Sequence, residues 1–208
     1  MKVLFWFPTD FTYFFNAYYF SKKYESKFFA IVDAPQKMSN FYKKQNFITF
    51  SKVWYLREEI NKDENKLDLD YLRRIENEYD LNIWKLALNE RYFYKFFSFH
   101  EFSRDEILLI EQNLCKLFDS IINEHKPDVV ITKEPGLHHL ELFIHMCKNK
   151  NIRVFQLKIP NIGKKLLISQ SQTSFDIKSI TSLIDEDVTF NDLNKFYHTN
   201  KFSENINR

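Results

Sequence analysis

The residues best equipped for chemistry stand together in the stretch 126–147, KPDVVITKEPGLHHLELFIHMC. Lys133, Glu134, His138 and His139 all carry side chains that can hold or move a proton. A carboxyl at a turn, such as Glu134, stays ionised or protonated according to its burial, and a histidine near a helix start has its pKa lowered by the dipole. A neutral His138 can take a proton from a hydroxyl nucleophile. Glu134 and His138 are therefore the candidate catalytic residues. The plainer alternative makes Glu134 a helix cap and His138 an ordinary polar residue. Lys133, with Lys164 and Lys165 further along, can meet a phosphate in the same crevice, although lysines are common on any surface.

His138, Glu141 and His145 lie three and four residues apart. On a helix all three project from one face, within reach of a single metal ion. The order HxxExxxH is not the HExxH zinc arrangement, and His145 falls two turns into a helix that must pack on a sheet. The expectation is a solvated or hydrogen-bonded helix face, with no metal. Only two glycines occur, Gly136 and Gly163. That excludes the GxGxxG dinucleotide turn and the GxxxxGK[ST] phosphate loop, which need several glycines for close backbone approach. No cofactor is expected. No nucleophile elbow is present, and Cys147 sits on an apolar stripe, so serine or cysteine nucleophilic catalysis has no support.

A strand, a turn and a helix must position these groups. Val129, Val130 and Ile131 form a β-branched run bounded by polar residues, which predicts a parallel strand covered on both faces. A tight turn follows at residues 132–136, then a helix from about Leu137. Ligands of open α/β sheets sit beyond the carboxyl ends of such strands. Residues 3–7 and 28–32 predict two earlier strands, the first of them central, and residues 47–56 a third. Thr9 or Asp10 can cap the helix at residues 11–24. Asp33, after the second strand, reads as a turn or cap because no glycine turn supports a ribose-binding role. The charged stretch 58–68 reads as a solvated connection, and a helical pattern runs through residues 69–79 and on through 81–88. Aromatics at residues 91–99 read as packing beneath the sheet rather than as a stacking platform. Ser103 and Glu106 form a capping box flanked by Phe102 and Ile107 as a hydrophobic staple. Ile107, Ile110, Leu114, Leu117 and Ile121 then give one buried stripe that ends near His125, before Pro127. Residues 153–157 predict the last strand. Beyond Ser169 the pattern decays.

At 208 residues, 44% of them hydrophobic, the chain can bury one sizeable core but not two. The fold class is therefore α/β, a Rossmann-like three-layer domain with a mostly parallel sheet over residues 1–170. Residues 171–208 are expected to form a poorly ordered polar tail, with short helices available at 180–184 and 190–196. The 23 Phe and 11 Tyr reflect composition rather than a recognition surface. A formal net charge of +2 without any basic block argues against nucleic-acid binding. Cys115 and Cys147 read as reduced core residues, and the N-terminus lacks the features of a signal peptide. No apolar run approaches the ~20 residues of a membrane span. A cytoplasmic protein is expected, with peripheral membrane contact still compatible.

The stretches LNIWKLALNERYF (residues 81–93) and FSRDEIL through FQL (residues 102–157) carry a family likeness. With the KPDVVIT strand, the GLHH turn and the later ISQ, they resemble the N-terminal half of capsule polysaccharide biosynthesis proteins. These are glycosyltransferase-like, with a two-domain GT-B type architecture. The likeness spans residues 1–170 and is densest from Leu81 onward. It implies an acceptor-side domain that binds a saccharide or lipid-linked acceptor, with Glu134 or His138 as base. Thr9, Asp10, Lys133, His139, Asn161 and Lys164 form the candidate substrate-binding set. The nucleotide-sugar half of that architecture lies outside these 208 residues, so the donor is expected on a separate domain or chain. The alternative is a non-catalytic saccharide-binding or protein-interaction module.

Overall fold

The computed structural model describes residues 1–60, 66–94, 100–158 and 167–170. The strands are short apolar runs: β1 Lys2–Phe7, β2 Lys27–Val32, β3 Lys52–Tyr55, β4 Val129–Lys133, β5 Arg153–Lys158 and β6 Leu167–Ser169. They form one sheet in the order β3-β2-β1-β4-β5-β6. All neighbours pair in parallel except β5 and β6. Strands this apolar on both sides need helices on both faces, and the helices are α1 Thr12–Lys23, α2 Gln36–Lys44, α3 Leu56–Ile60, α4 Leu69–Tyr79, α5 Ile83–Leu88, α6 Arg91–Tyr94, α7 Arg104–Ser120 and α8 His138–Asn149.

Alternation along each strand divides the core in two. Leu4, Trp6, Phe29, Ile31, Trp54, Val130 and Val154 point to the face packed by α4, α5, α7 and α8. Val3, Phe5, Phe7, Phe28, Ala30 and Val32 point to the opposite face, where Phe14 and Ala17 of α1 and Tyr42 of α2 meet them. Cys115 of α7 and Cys147 of α8 are both free thiols inside the first core. The architecture is α/β and Rossmann-like, with β1 central as the sequence implies.

Local signals explain several element ends. Ser103 Oγ accepts from the Glu106 N–H at 3.3 Å, while Glu106 Oε2 accepts from the Ser103 N–H at 2.7 Å, so the capping box fixes the start of α7. The C-terminal end of that helix widens into a π-helical turn, Ile121–His125, before Pro127. Asp10 Oδ1 accepts from the Thr12 N–H at 2.8 Å at the start of α1.

Elsewhere the structure departs from the sequence reading. The third strand is shorter than residues 47–56, and Phe47 is exposed. The charged connection opens as α3, whose last carbonyl, Ile60 O, accepts from Asn113 Nδ2 at 3.2 Å. The helical run 69–88 breaks at Asp80, which takes a left-handed conformation with φ 49°. Asn82 then caps a new helix, accepting from the Lys85 N–H at 2.7 Å. Helix α2 and strand β6 are additions to the elements that the sequence predicts. Of the aromatic cluster, Phe93 is buried against Phe102, while residues 95–99 lie outside the described part. So do residues 171–208, on which the expectation of a polar tail rests. Among the described residues, no helix is long and apolar enough to cross a membrane.

Candidate functional site

The chain runs outward from β1 to β2 and β3, then returns to place β4 on the other side of β1. Such a reversal opens a crevice at the carboxyl ends of the two central strands, where ligands of open α/β sheets bind. The turn after β4 and the first turn of α8 lie at that edge. Adjacent residues on a helix diverge by about 100°, and the two neighbouring imidazoles accordingly enter different surroundings.

His138 turns inward and is buried. Its Nδ1 lies 2.8 Å from Glu90 Oε2, and the same oxygen accepts from the His138 backbone N–H at 2.9 Å. On its other side, Nε2 lies 2.7 Å from Glu111 Oε1. At that distance the buried Glu111 carboxyl and the ring form an ion pair. Burial alone would lower the pKa of His138, but Glu111 and Glu90 outweigh it and raise the pKa to about 9. Burial would likewise raise Glu90, yet the ring and backbone N–H of His138 and the backbone N–H of Tyr92 bring it to about 2. His138 is therefore an imidazolium clamped between two carboxylates. The lowered pKa expected from the helix dipole is corrected here, because carboxylates in contact with the ring outweigh that distant field.

His139 packs against the carboxyl ends of β1 and β2. Its Nε2 lies 3.0 Å from Asp33 Oδ2, at the end of β2, and its ring stacks on Trp6 of β1 with centroids 5.9 Å apart. Burial pushes the Asp33 carboxyl up, but the hydrogen bond and charge of His139, then Lys133 and Arg57, hold it below the usual range. An ionised Asp33 can only accept, so the Nε2 that faces it carries a proton. Both side chains keep some exposure, 14% for His139 and 15% for Asp33, where His138 has 8%. The His139–Asp33 pair is thus somewhat more exposed than His138.

The other sequence candidates scatter along the edge. Glu134 is at the turn after β4 but pairs with Lys158 Nζ at 2.9 Å, not with either histidine. Thr9 is exposed after β1, beside the capping Asp10. Lys133 ends β4, half-buried, and its charge reaches Asp33. Asn161, Lys164 and Lys165 lie outside the described residues. On the face of α8 that carries HxxExxxH, His138 is held by glutamates and His145 is exposed. Among the described residues no group of three His, Cys, Asp or Glu could hold a metal ion. A recess of about 140 Å³ opens beside the clamp, lined by Asn89, Glu90, Arg91, Gly136, His138 and Glu141.

The sequence reads Asp33 as a turn or cap, whereas the structure pairs it with His139, and it marks out none of Glu90, Glu111 and Trp6. One of these left a signal. Glu111 stands in step with Ile107 and Leu114 on the apolar stripe of α7, and an acid on a buried face implies a buried cationic partner.

Fold and edge chemistry together define an α/β domain of Rossmann-like type, with a histidine–aspartate pair at its topological switch point. Compared with protein-family models, curated proteins and solved structures, the chain matches none of them.

Proposed function

We propose that this chain is the acceptor-side domain of a capsule- or surface-polysaccharide glycosyl transfer system, binding a saccharide or lipid-linked acceptor at the carboxyl edge of its sheet. The observation that carries the reading is the Asp33–His139 pair at the switch point, with Nε2 of His139 3.0 Å from Asp33 Oδ2. The likeness of residues 81–157 to the N-terminal half of capsule polysaccharide biosynthesis proteins supplies the substrate class.

In this reading the acceptor hydroxyl gives its proton to His139 Nδ1 as its oxygen bonds to the anomeric carbon of the donor sugar. The bond from that carbon to the nucleotide phosphate breaks, and the phosphate leaves with the electron pair. Asp33 holds the ring through Nε2–H and stabilises the imidazolium that forms. A separate domain or chain presents the nucleotide sugar, in the cytoplasm. His139 thus takes the role that sequence alone gave to His138 or Glu134.

Titrating the isotope-labelled chain with glucose, galactose, N-acetylglucosamine and rhamnose is expected to shift the amide resonances of Asp33, Lys133 and His139. Joined to a donor-binding domain, His139→Ala should lower the transfer rate by about 10²–10⁴-fold and cost less stability than loss of His138. Saccharides that leave this edge unperturbed, or a transfer rate indifferent to His139→Ala, would overturn the reading.

A further inference from the structure

Helix α1 is apolar on both of its faces. Phe14 and Ala17 enter the core, while Phe11, Phe15 and Tyr19 recur every fourth residue on the outward side. A helix apolar all round is ordinarily covered all round, yet Phe15 and Tyr19 are 57% and 70% exposed. Phe47, 56% exposed on the connection before β3, widens the ridge, its ring 6.4 Å from Phe14 and 6.2 Å from Tyr18. Scattered surface aromatics need no explanation, but a contiguous patch marks an interaction surface.

The charges around this patch have one sign. Residues 11–24 hold no acid and end on Lys22, Lys23 and Tyr24, with Glu25 next in the chain; residues 41–53 hold no acid either. Lys22 Nζ stands 5.2 Å above the Tyr18 ring, which itself meets Tyr19 and Phe47, so an ammonium lies within the aromatic patch. Lys23 Nζ lies 5.6 Å from the Tyr24 ring, and Lys44 closes α2 in the same layer. Neither Lys22 nor Lys23 pairs with an acid among the described residues. Beside Phe47 a polar recess of about 550 Å³ opens, where Ser21, Lys22, Ser26, Thr49 and Ser51 line the wall. Hydroxyls and ammonium groups donate hydrogen bonds, which suits phosphate oxygens.

We propose that the outer face of α1 docks on the surface of an anionic phospholipid bilayer. Phe15, Tyr19 and Phe47 enter the headgroup region, and lipid phosphates meet Lys22 and Lys23 beside the hydroxyl-lined recess. Aromatic rings with a basic flank are the composition that lies in such an interface. A second copy of this chain is a poorer occupant, because pairing through this face would bring like-charged lysines together. A nucleic acid strand fits less well too. Phe15 and Phe14, Phe14 and Phe47, and Phe47 and Tyr18 stand at 64°, 77° and 89°, which leaves no run of parallel faces for successive bases. This docking is independent of the chemistry proposed for Asp33 and His139.

The full chain is expected to sediment with vesicles of equal parts phosphatidylglycerol and phosphatidylcholine, and to stay in solution with phosphatidylcholine alone. Lys22→Ala with Lys23→Ala should weaken binding roughly 10- to 30-fold, and Phe15→Ser with Tyr19→Ser by about tenfold or more. All four side chains are exposed, so both variants keep the fold. No sedimentation with the anionic vesicles, equal sedimentation with both kinds, or binding that either variant leaves intact would overturn the proposal. Release by inorganic phosphate, but not by sodium chloride of the same ionic strength, would overturn it in favour of a free anion. Tighter binding to polyuridylic acid than to the vesicles would give the face to nucleic acid. A doubled mass in light scattering that Phe15→Ser with Tyr19→Ser abolishes would give it to a second copy.

Discussion

Replacing His138 with alanine is expected to destabilise the fold by about 3–5 kcal/mol, the range for breaking a buried ion pair from one side. The loss exceeds that of an ordinary polar deletion because two acids are left behind. Glu111 is fully buried and has His138 as its ionic partner, and Glu90 is 3% exposed. Alanine keeps the backbone N–H that Glu90 accepts, so Glu111 bears most of the penalty. Combining His138→Ala with Glu111→Gln should therefore cost clearly less than the two single changes added together. Urea unfolding of the three variants checks both statements. A single-variant loss below about 1 kcal/mol, or strict additivity, would show that the cluster behaves like a surface pair.

The second large effect is a pH dependence with a defined sign. His138 has its pKa raised from 6.5 to about 9 on folding. Its contribution is complete below pH 6.5 and is lost as pH rises through 9, on the order of 3 kcal/mol in all. Glu90 moves the other way, from 4.5 to about 2. Its contribution is present above pH 4.5 and is lost as pH falls through 2. Stability from the clamp is thus greatest between about pH 4.5 and 6.5. Unfolding free energies measured from pH 5 to 10 should fall on the alkaline side, and the fall should be largely absent from His138→Leu. Parallel curves for the two proteins would assign the alkaline loss to other groups.

What the sequence made legible follows from which signals are local. Strands β1, β2, β4 and β5 are runs of adjacent apolar residues, and the start of α7 is announced by two residues three apart. Helix α2 is built on QKMSNFYKK, where Met38, Phe41 and Tyr42 make only a single helical step after Pro35. The edge strand β6 has three residues and no period to detect. The site divides in the same way. The stretch that supplies both histidines was visible, but the acids that each of them meets were not. The partner of His139 is 106 residues away, at the end of a strand that becomes its neighbour only through the strand order. Glu90, between α5 and α6, and Glu111, on α7, lie 48 and 27 positions before His138, so the clamp exists only after α5, α7 and α8 have packed.

Cys115 and Cys147 give the molecule a built-in clock. Burial pushes both thiols well above their usual pKa, which keeps them from the thiolate form that alkylating reagents attack. Both are buried in the larger core, so neither can react until that core opens around it. The speed at which such a reagent consumes them in native buffer therefore reads the opening of that core, with no probe introduced.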